Sequence, residues 1–267
     1  MNQYFEKIHA GLPVDDIEII DFHAHLGPYF NMHIPWKTAE RMVAMMDMCG
    51  IDKTVISPTP GLCSDLVYGN DQMLKAIRNH RGRLYGACAV NGNIPELSLD
   101  ELDRCFGQER DVVLIKMHPF LATCRMDDRT MKPIYRFASE RGLFIIVHTW
   151  IDQDAYGNLD IFSSVANDYP GIRWLMGHSG GPMASRRAVE IATMLPNVFL
   201  DLTVSMIPGR QIEFFVKEIG SERVMFGTDN PFIDPRPQIG RLCLADIEQK
   251  DRINIAGANA RRYITFG

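Results

Sequence analysis

Eight short apolar runs, with helical spacing in the segments between them, constrain this chain more than any other feature. They are Ile17–Phe22, Lys53–Ser57, Leu84–Val90, Val112–Met117, Leu143–His148, Ile172–Gly177, Val198–Thr203 and Arg223–Thr228. Most are too continuous for half-exposed strands and suit parallel strands buried on both faces. Between them, Thr38–Met48 carries Met42, Met45 and Met46 at helical spacing. Asn70 with Asp71 can cap a helix over Gln72–Asn79, and Asp128–Arg141 sets Ile134, Phe137 and Ala138 on one face ahead of Gly142. Ala184–Leu195 and Gln211–Ile219 read the same way. The runs end about every 29 residues, the size of a strand–helix unit. Eight such units without a compositional break predict an α/β fold, a single (β/α)8 TIM barrel over residues 1–267. A doubly wound open sheet would usually carry a glycine-rich phosphate turn after its first strand. His23-Ala24-His25 stands there instead.

Charge and cysteine usage narrow the class of function. The 267 residues are 46% hydrophobic and carry a formal net charge of −5, without runs of lysine or arginine. That argues against nucleic acid or an anionic membrane as partner and for a small-molecule substrate. The six cysteines form no CxxC pair and read as reduced thiols. Neither a signal peptide nor a spanning apolar stretch is evident, so a cytoplasmic protein is expected.

Polar residues do not belong inside buried strands, yet several runs end in one. The first ends in His23 and His25, the fourth in Lys116 and His118, the fifth in His148, the sixth in His178 and the eighth in Asp229. In a barrel these ends converge on one mouth. His-x-His on a strand turns both imidazoles to one face. A third imidazole and a carboxylate make an N3O set suited to zinc, with manganese or iron as alternatives. Lys116 could be carbamylated between two ions, bind a substrate carboxylate, pair with Asp229 or reach the rim. His118 is either a substrate contact or structural. His9 and His80 read as surface residues, and His33 as a loop residue.

IIDFHAHLG, LIKMHPF, LFIIVHTW, WLMGHSGG and FGTDNPF at strands one, four, five, six and eight, with the closing INIAGANARRYITF, resemble the amidohydrolase superfamily, and in particular its amidohydrolase-related (amidohydrolase 2) branch. The resemblance implies a distorted barrel of the metal-dependent hydrolase type with a divalent metal at its mouth. It makes His23, His25 and His148 ligands, and Asp229 both ligand and general base. His178 is either a ligand of a second metal or the group that polarises the substrate. One zinc ion is the expectation. Lys116 lies where binuclear members carry a glutamate or carbamylated lysine, so a second ion stays open. The branch also suggests a homodimer.

The leading expectation is hydrolysis of a C–N or C–O bond, in an amide, lactone or ester of a small anionic substrate, by a water that the ion activates and Asp229 deprotonates. His178 and Lys116 complete the catalytic set. Arg125, Arg210 and Arg236, in loops on the same rim, could clamp a substrate carboxylate together with His118. The alternative is non-oxidative decarboxylation, or hydration, of a small carboxylic acid with the same ligands. A non-catalytic metal-binding protein is the third reading, and the presence of Asp229 weighs against it.

Overall fold

Why the chain closes into a barrel can be followed strand by strand. The structure, a computed structural model, describes residues 4–150, 155–181, 183–203 and 209–266. Reading 1–267 as a single domain also takes in residues outside that set. Eight strands, β1 (Ile20–Leu26), β2 (Lys53–Pro58), β3 (Leu84–Ala89), β4 (Val112–Met117), β5 (Phe144–His148), β6 (Arg173–Gly177), β7 (Val198–Asp201) and β8 (Val224–Met225), pair in parallel in chain order. The Phe22 N–H donates to the Phe226 carbonyl at 2.9 Å, and the N–H groups of Thr228 and Asp229 both donate to the His23 carbonyl. These bonds join the last strand region to the first and close the barrel. The principal helices are α1 (Ala39–Cys49), α2 (Leu66–Asn79), α3 (Pro95–Gln108), α4 (Lys132–Glu140), α5 (Leu159–Asp168), α6 (Ser185–Met194), α7 (Gln211–Ile219) and α8 (Pro235–Leu244). Among the described residues no helix is long and apolar enough to cross a membrane.

Several expected elements shift, the seventh and eighth strands ending early at Asp201 and Met225. The first strand starts later than Ile17 and runs on through the His-x-His pair, because β2 hydrogen-bonds along it as far as Leu26. The second helix starts at Leu66 rather than Gln72, with Asp65 as its cap, accepting from the Tyr68 N–H at 2.9 Å. Asn70, expected at the cap, is buried inside that helix. Its amide oxygen accepts the Ala89 N–H, and its nitrogen donates to the Ala89 carbonyl and to Glu101. A buried strand end needs those partners, which explains why a strong capping residue lies mid-helix.

Two apolar layers result. Inside the barrel, Ile20, Phe22, Val55, Tyr85, Phe144, Ile146, Leu175, Phe199 and Met225 pack together. Outside, the alternate residues of the same strands, such as Ile56, Cys88, Ile115, Ile145 and Val147, pack against the helices. The floor is closed by the C-terminal helical segment, where Tyr263 and Phe266 stack edge-on against Phe144 and Tyr85 respectively. Five cysteines are buried, Cys63 is exposed, and none is in a disulfide. His9 and His33 are exposed, and His80 is half-buried.

Candidate metal centre

The inward parity of the barrel carries the polar residues to its mouth. Phe144 and Ile146 point inward, so His148 follows; Leu114 and Phe199 likewise lead to Lys116 and Asp201. On β1 the pairing register shifts between Asp21 and Ala24. Ile20 and Phe22 belong to the interior, whereas Ala24 joins the outer layer, so beyond the shift His23 and His25 face the axis. His178 directly follows β6 and Asp229 lies four residues beyond β8, with φ of 61° and 65°, a left-handed conformation in which histidine and aspartate are enriched among non-glycine residues. It redirects both side chains into the mouth.

A buried network sets which nitrogen of each imidazole is free. His23 Nδ1 donates to Asp201 Oδ2 at 2.7 Å, which leaves Nε2 as the acceptor, 2.7 Å from Lys116 Nζ and 3.8 Å from Asp229 Oδ1. Asp201 also accepts the His178 N–H at 2.9 Å and, from Thr203, both the backbone N–H and the hydroxyl. Four donors saturate this carboxylate, so it orients His23 and is not itself the ligand. His178 Nδ1 donates to the Thr203 carbonyl at 3.0 Å, and its Nε2 lies 3.0 Å from His148 Nδ1, which makes Nε2 the acceptor nitrogen of His148. His118 stacks on His148 with ring centroids 3.9 Å apart, and its Nδ1 accepts the Leu121 N–H.

His25 Nε2 lies 3.1 Å from Asp229 Oδ1, and the buried His25 Nδ1 has no hydrogen-bond partner. His23, His25 and Asp229 bring their ligand atoms within 4.8 Å of one another. Two neutral imidazoles and a carboxylate, one nitrogen already oriented by a second carboxylate, are a donor set that fits a divalent ion. His148 stands beside His178 rather than in this trio. Burial lowers the pKa of His23, His148 and His118 well below the ordinary value, and that of His25 less, so all four favour the neutral form a ligand needs. Burial alone would raise the Asp229 carboxyl, but contact with His25 and the nearby imidazoles hold it below the usual carboxylate range. Lys116 is fully buried, which pulls its ammonium down to about 8 against the opposing pull of Asp229 and Asp201.

Above the trio opens a cavity of about 310 Å3, lined by His25, Asp229, His118, His148 and His178 on one side. Tyr29, Leu62, Trp150, Phe232 and Ile233 form much of the rest. Arg125, Arg210 and Arg236 do not line it. Each is bound by an aspartate on the outer surface: Arg125 by Asp127 at 2.7 Å, Arg210 by Asp246 at 3.1 Å and Arg236 by Asp234 at 2.9 Å. Position on a rim loop did not decide their direction; a neighbouring carboxylate did. Asp201 and Asp21 were missed by sequence reasoning, although each is a lone carboxylate inside an apolar strand, as Phe-Leu-Asp-Leu and Ile-Asp-Phe show.

Known structures share this architecture. An uncharacterised TIM-barrel protein of Bordetella bronchiseptica is 16% identical with a TM-score of 0.76, covering 92% of this chain and 98% of that one. A 5-carboxyvanillate decarboxylase of Sphingomonas paucimobilis is 17% identical with a TM-score of 0.73, covering 94% and 100%. Another 5-carboxyvanillate decarboxylase, from Novosphingobium aromaticivorans, solved with manganese and 4-hydroxy-3-methoxy-5-nitrobenzoic acid, is 16% identical with a TM-score of 0.73, covering 93% and 96%. The amidohydrolase family model (amidohydrolase 2) matches residues 20–266, from the first strand to the closing segment, and the chain belongs to that family.

Proposed function

We propose that this amidohydrolase-family protein is a metal-dependent lyase that removes carbon dioxide from a small carboxylic acid. The observation that carries the reading is the His23–His25–Asp229 trio at the base of a cavity whose other walls are mostly apolar. The similarity to structures of decarboxylases supports it. His23, His25 and Asp229 would hold the ion, and His148 would supply a further nitrogen; this nitrogen-rich set suits zinc or manganese. When bound, a divalent ion supplies an electrophilic centre for the substrate's carboxylate end.

Loss of carbon dioxide breaks the bond to the carboxylate carbon, leaves the electron pair on the neighbouring carbon and requires a proton there. Asp229 opens onto the cavity and carries that proton, with His178 beside it. Lys116 places its ammonium against His23 Nε2, at the same end. The apolar walls exclude water from the carbon that receives the proton.

Hydrolysis of an amide, lactone or ester is the second reading. It is favoured by the position of Asp229 against the imidazoles, where it can equally take a proton from water. Product analysis on the metal-loaded protein separates the two. A carboxylated arene releasing carbon dioxide supports the lyase, whereas a new carboxylate appearing with an amine or alcohol supports the hydrolase. Asp229→Asn, loaded with the same metal, should turn over on the order of 10²–10⁴-fold more slowly. Retention of more than about a tenth of wild-type turnover would assign the proton to another group.

A further inference from the structure

Beside the catalytic cavity the mouth holds a second one of about 280 Å3, nearly the same size. Pro28, Phe30, Pro60, Cys63 and Ser64 line it, and it shares Tyr29 and Leu121 with the first. The same three segments wall both: the loop after β1, the short helix Thr59–Cys63 after β2 and the turn Pro119–Ala122 after β4. Neighbouring residues divide between them, Leu62 lining the first cavity and Cys63 the second. These walls are fixed in place. A Cβ on Gly69 of α2 would lie 2.1 Å from the Gly61 nitrogen, so α2 holds the short helix at a distance only glycine allows. Pro28 and Pro60 restrict the backbone on either side.

The two compartments differ in chemistry. The first holds four histidines, Asp229 and the Thr59 hydroxyl, which is fully buried without a hydrogen-bond partner. Among the described residues, none that lines the second is charged. Its Ser64 hydroxyl already donates to the Pro60 carbonyl at 3.2 Å. Its Phe30 ring, 71% exposed, lies against Tyr29 with centroids 4.7 Å apart. A charged group entering there would give up water for little in return, whereas an apolar one gains by covering these rings. Each cavity alone is near the lower limit of roughly 300 Å3 for a ligand pocket, and joined they fall well inside the range. We infer that the substrate is longer than the catalytic cavity: its acid end lies at the metal centre, and an uncharged apolar tail extends past Tyr29 and Leu121 into the second cavity. The inference rests on the reading that an acid end is held at the metal centre.

Cys63 reports on the second cavity directly, because the other five cysteines are buried. The test follows its modification by iodoacetamide in the manganese-loaded protein, in the presence of straight-chain carboxylates from butanoate to decanoate below their micelle concentrations. Decanoate should slow the reaction about tenfold or more, and butanoate should leave it unchanged. The concentration giving half-protection should fall about threefold with each methylene added to the tail. Phe30→Asp places a charge in the second cavity alone, at an exposed position where folding is not at stake, and should raise the half-protecting concentration of decanoate about tenfold. Unprotected Cys63 under decanoate overturns the inference, as does wild-type protection in Phe30→Asp. Protection by 1-decanol equal to that by decanoate would overturn the reading of an acid end at the metal and leave the second compartment standing.

Discussion

Gly227 shows how tightly the base of the centre is built. A Cβ there would lie 2.2 Å from Thr203 Oγ1, 2.7 Å from Asp201 Oδ1 and 2.8 Å from His23 Cβ, so only glycine lets the chain after β8 pass beside the orienting carboxylate. Gly227→Ala should displace Asp201 or His23, weaken zinc binding by about 10–100-fold and lower stability by roughly 1–3 kcal/mol. Competition with a zinc chelator and a thermal melt measure the two effects, and wild-type values for both would show that the contact is slack. Lys116 has a signature in pH. Its folded-state pKa of about 8 lies below the ordinary 10.5 because burial disfavours the ammonium. The unfolded chain binds the extra proton between those values, so wild-type stability rises with pH across that window. Lys116→Met removes the penalty, worth about 3 kcal/mol at 1.36 kcal/mol per unit. The metal-free variant should therefore melt above wild type below pH 8, and the gap should close as pH approaches 10.5. A gap that is constant from pH 7 to 10 would contradict a buried, reluctant ammonium. At this scale the sequence was informative for polar residues that close an apolar run, His23, His25 and Asp229 among them. It was silent on rim arginines, because an exposed guanidinium points wherever its nearest aspartate is.

The element that decides the geometry of the centre is the seam between β1 and the residues after β8. β8 is only two residues long, Val224–Met225, and the chain beyond it is held by side chains more than by a ladder. Asp21 accepts the Thr228 hydroxyl and backbone N–H, the latter at 3.1 Å, and also the His23 N–H at 3.2 Å. It thus ties together the two segments that carry His23 and Asp229. Asp21→Ala leaves those buried donors unpaired, at about 1–3 kcal/mol each. Urea unfolding should show that loss, together with zinc affinity at least tenfold weaker, a readout that loss of packing remote from the seam would not move. Unchanged zinc affinity in a destabilised variant would make Asp21 structural only. The eight strands were legible because two-sided burial leaves an unmistakable run of apolar residues. The start of α2 was not, since Asn70 has the chemistry of a cap yet serves Ala89 and Glu101 across the interface. Nor was the length of β8, because Phe226–Thr228 keeps strand composition after the ladder to β7 has ended.

At the scale of the whole molecule the barrel has one sealed end and one open one. Tyr263 and Phe266 plug the floor, apolar rings fill the interior up to the level of Ile146, and polar side chains begin only above it. That division lets ligands be changed without unmaking the fold, since the apolar core bears most of the stability. The same division explains what stayed hidden: a barrel can be read from repeating strands, whereas the lining of its mouth comes from loops whose packing no local periodicity encodes. The central claim is that the trio at the mouth holds a divalent ion, and elemental analysis of purified protein with and without its histidines tests it most directly. The wild type should carry one divalent ion per chain. His23→Ala combined with His25→Ala should carry essentially none while keeping the wild-type far-ultraviolet circular dichroism. Undiminished metal content in that folded double variant would contradict the account.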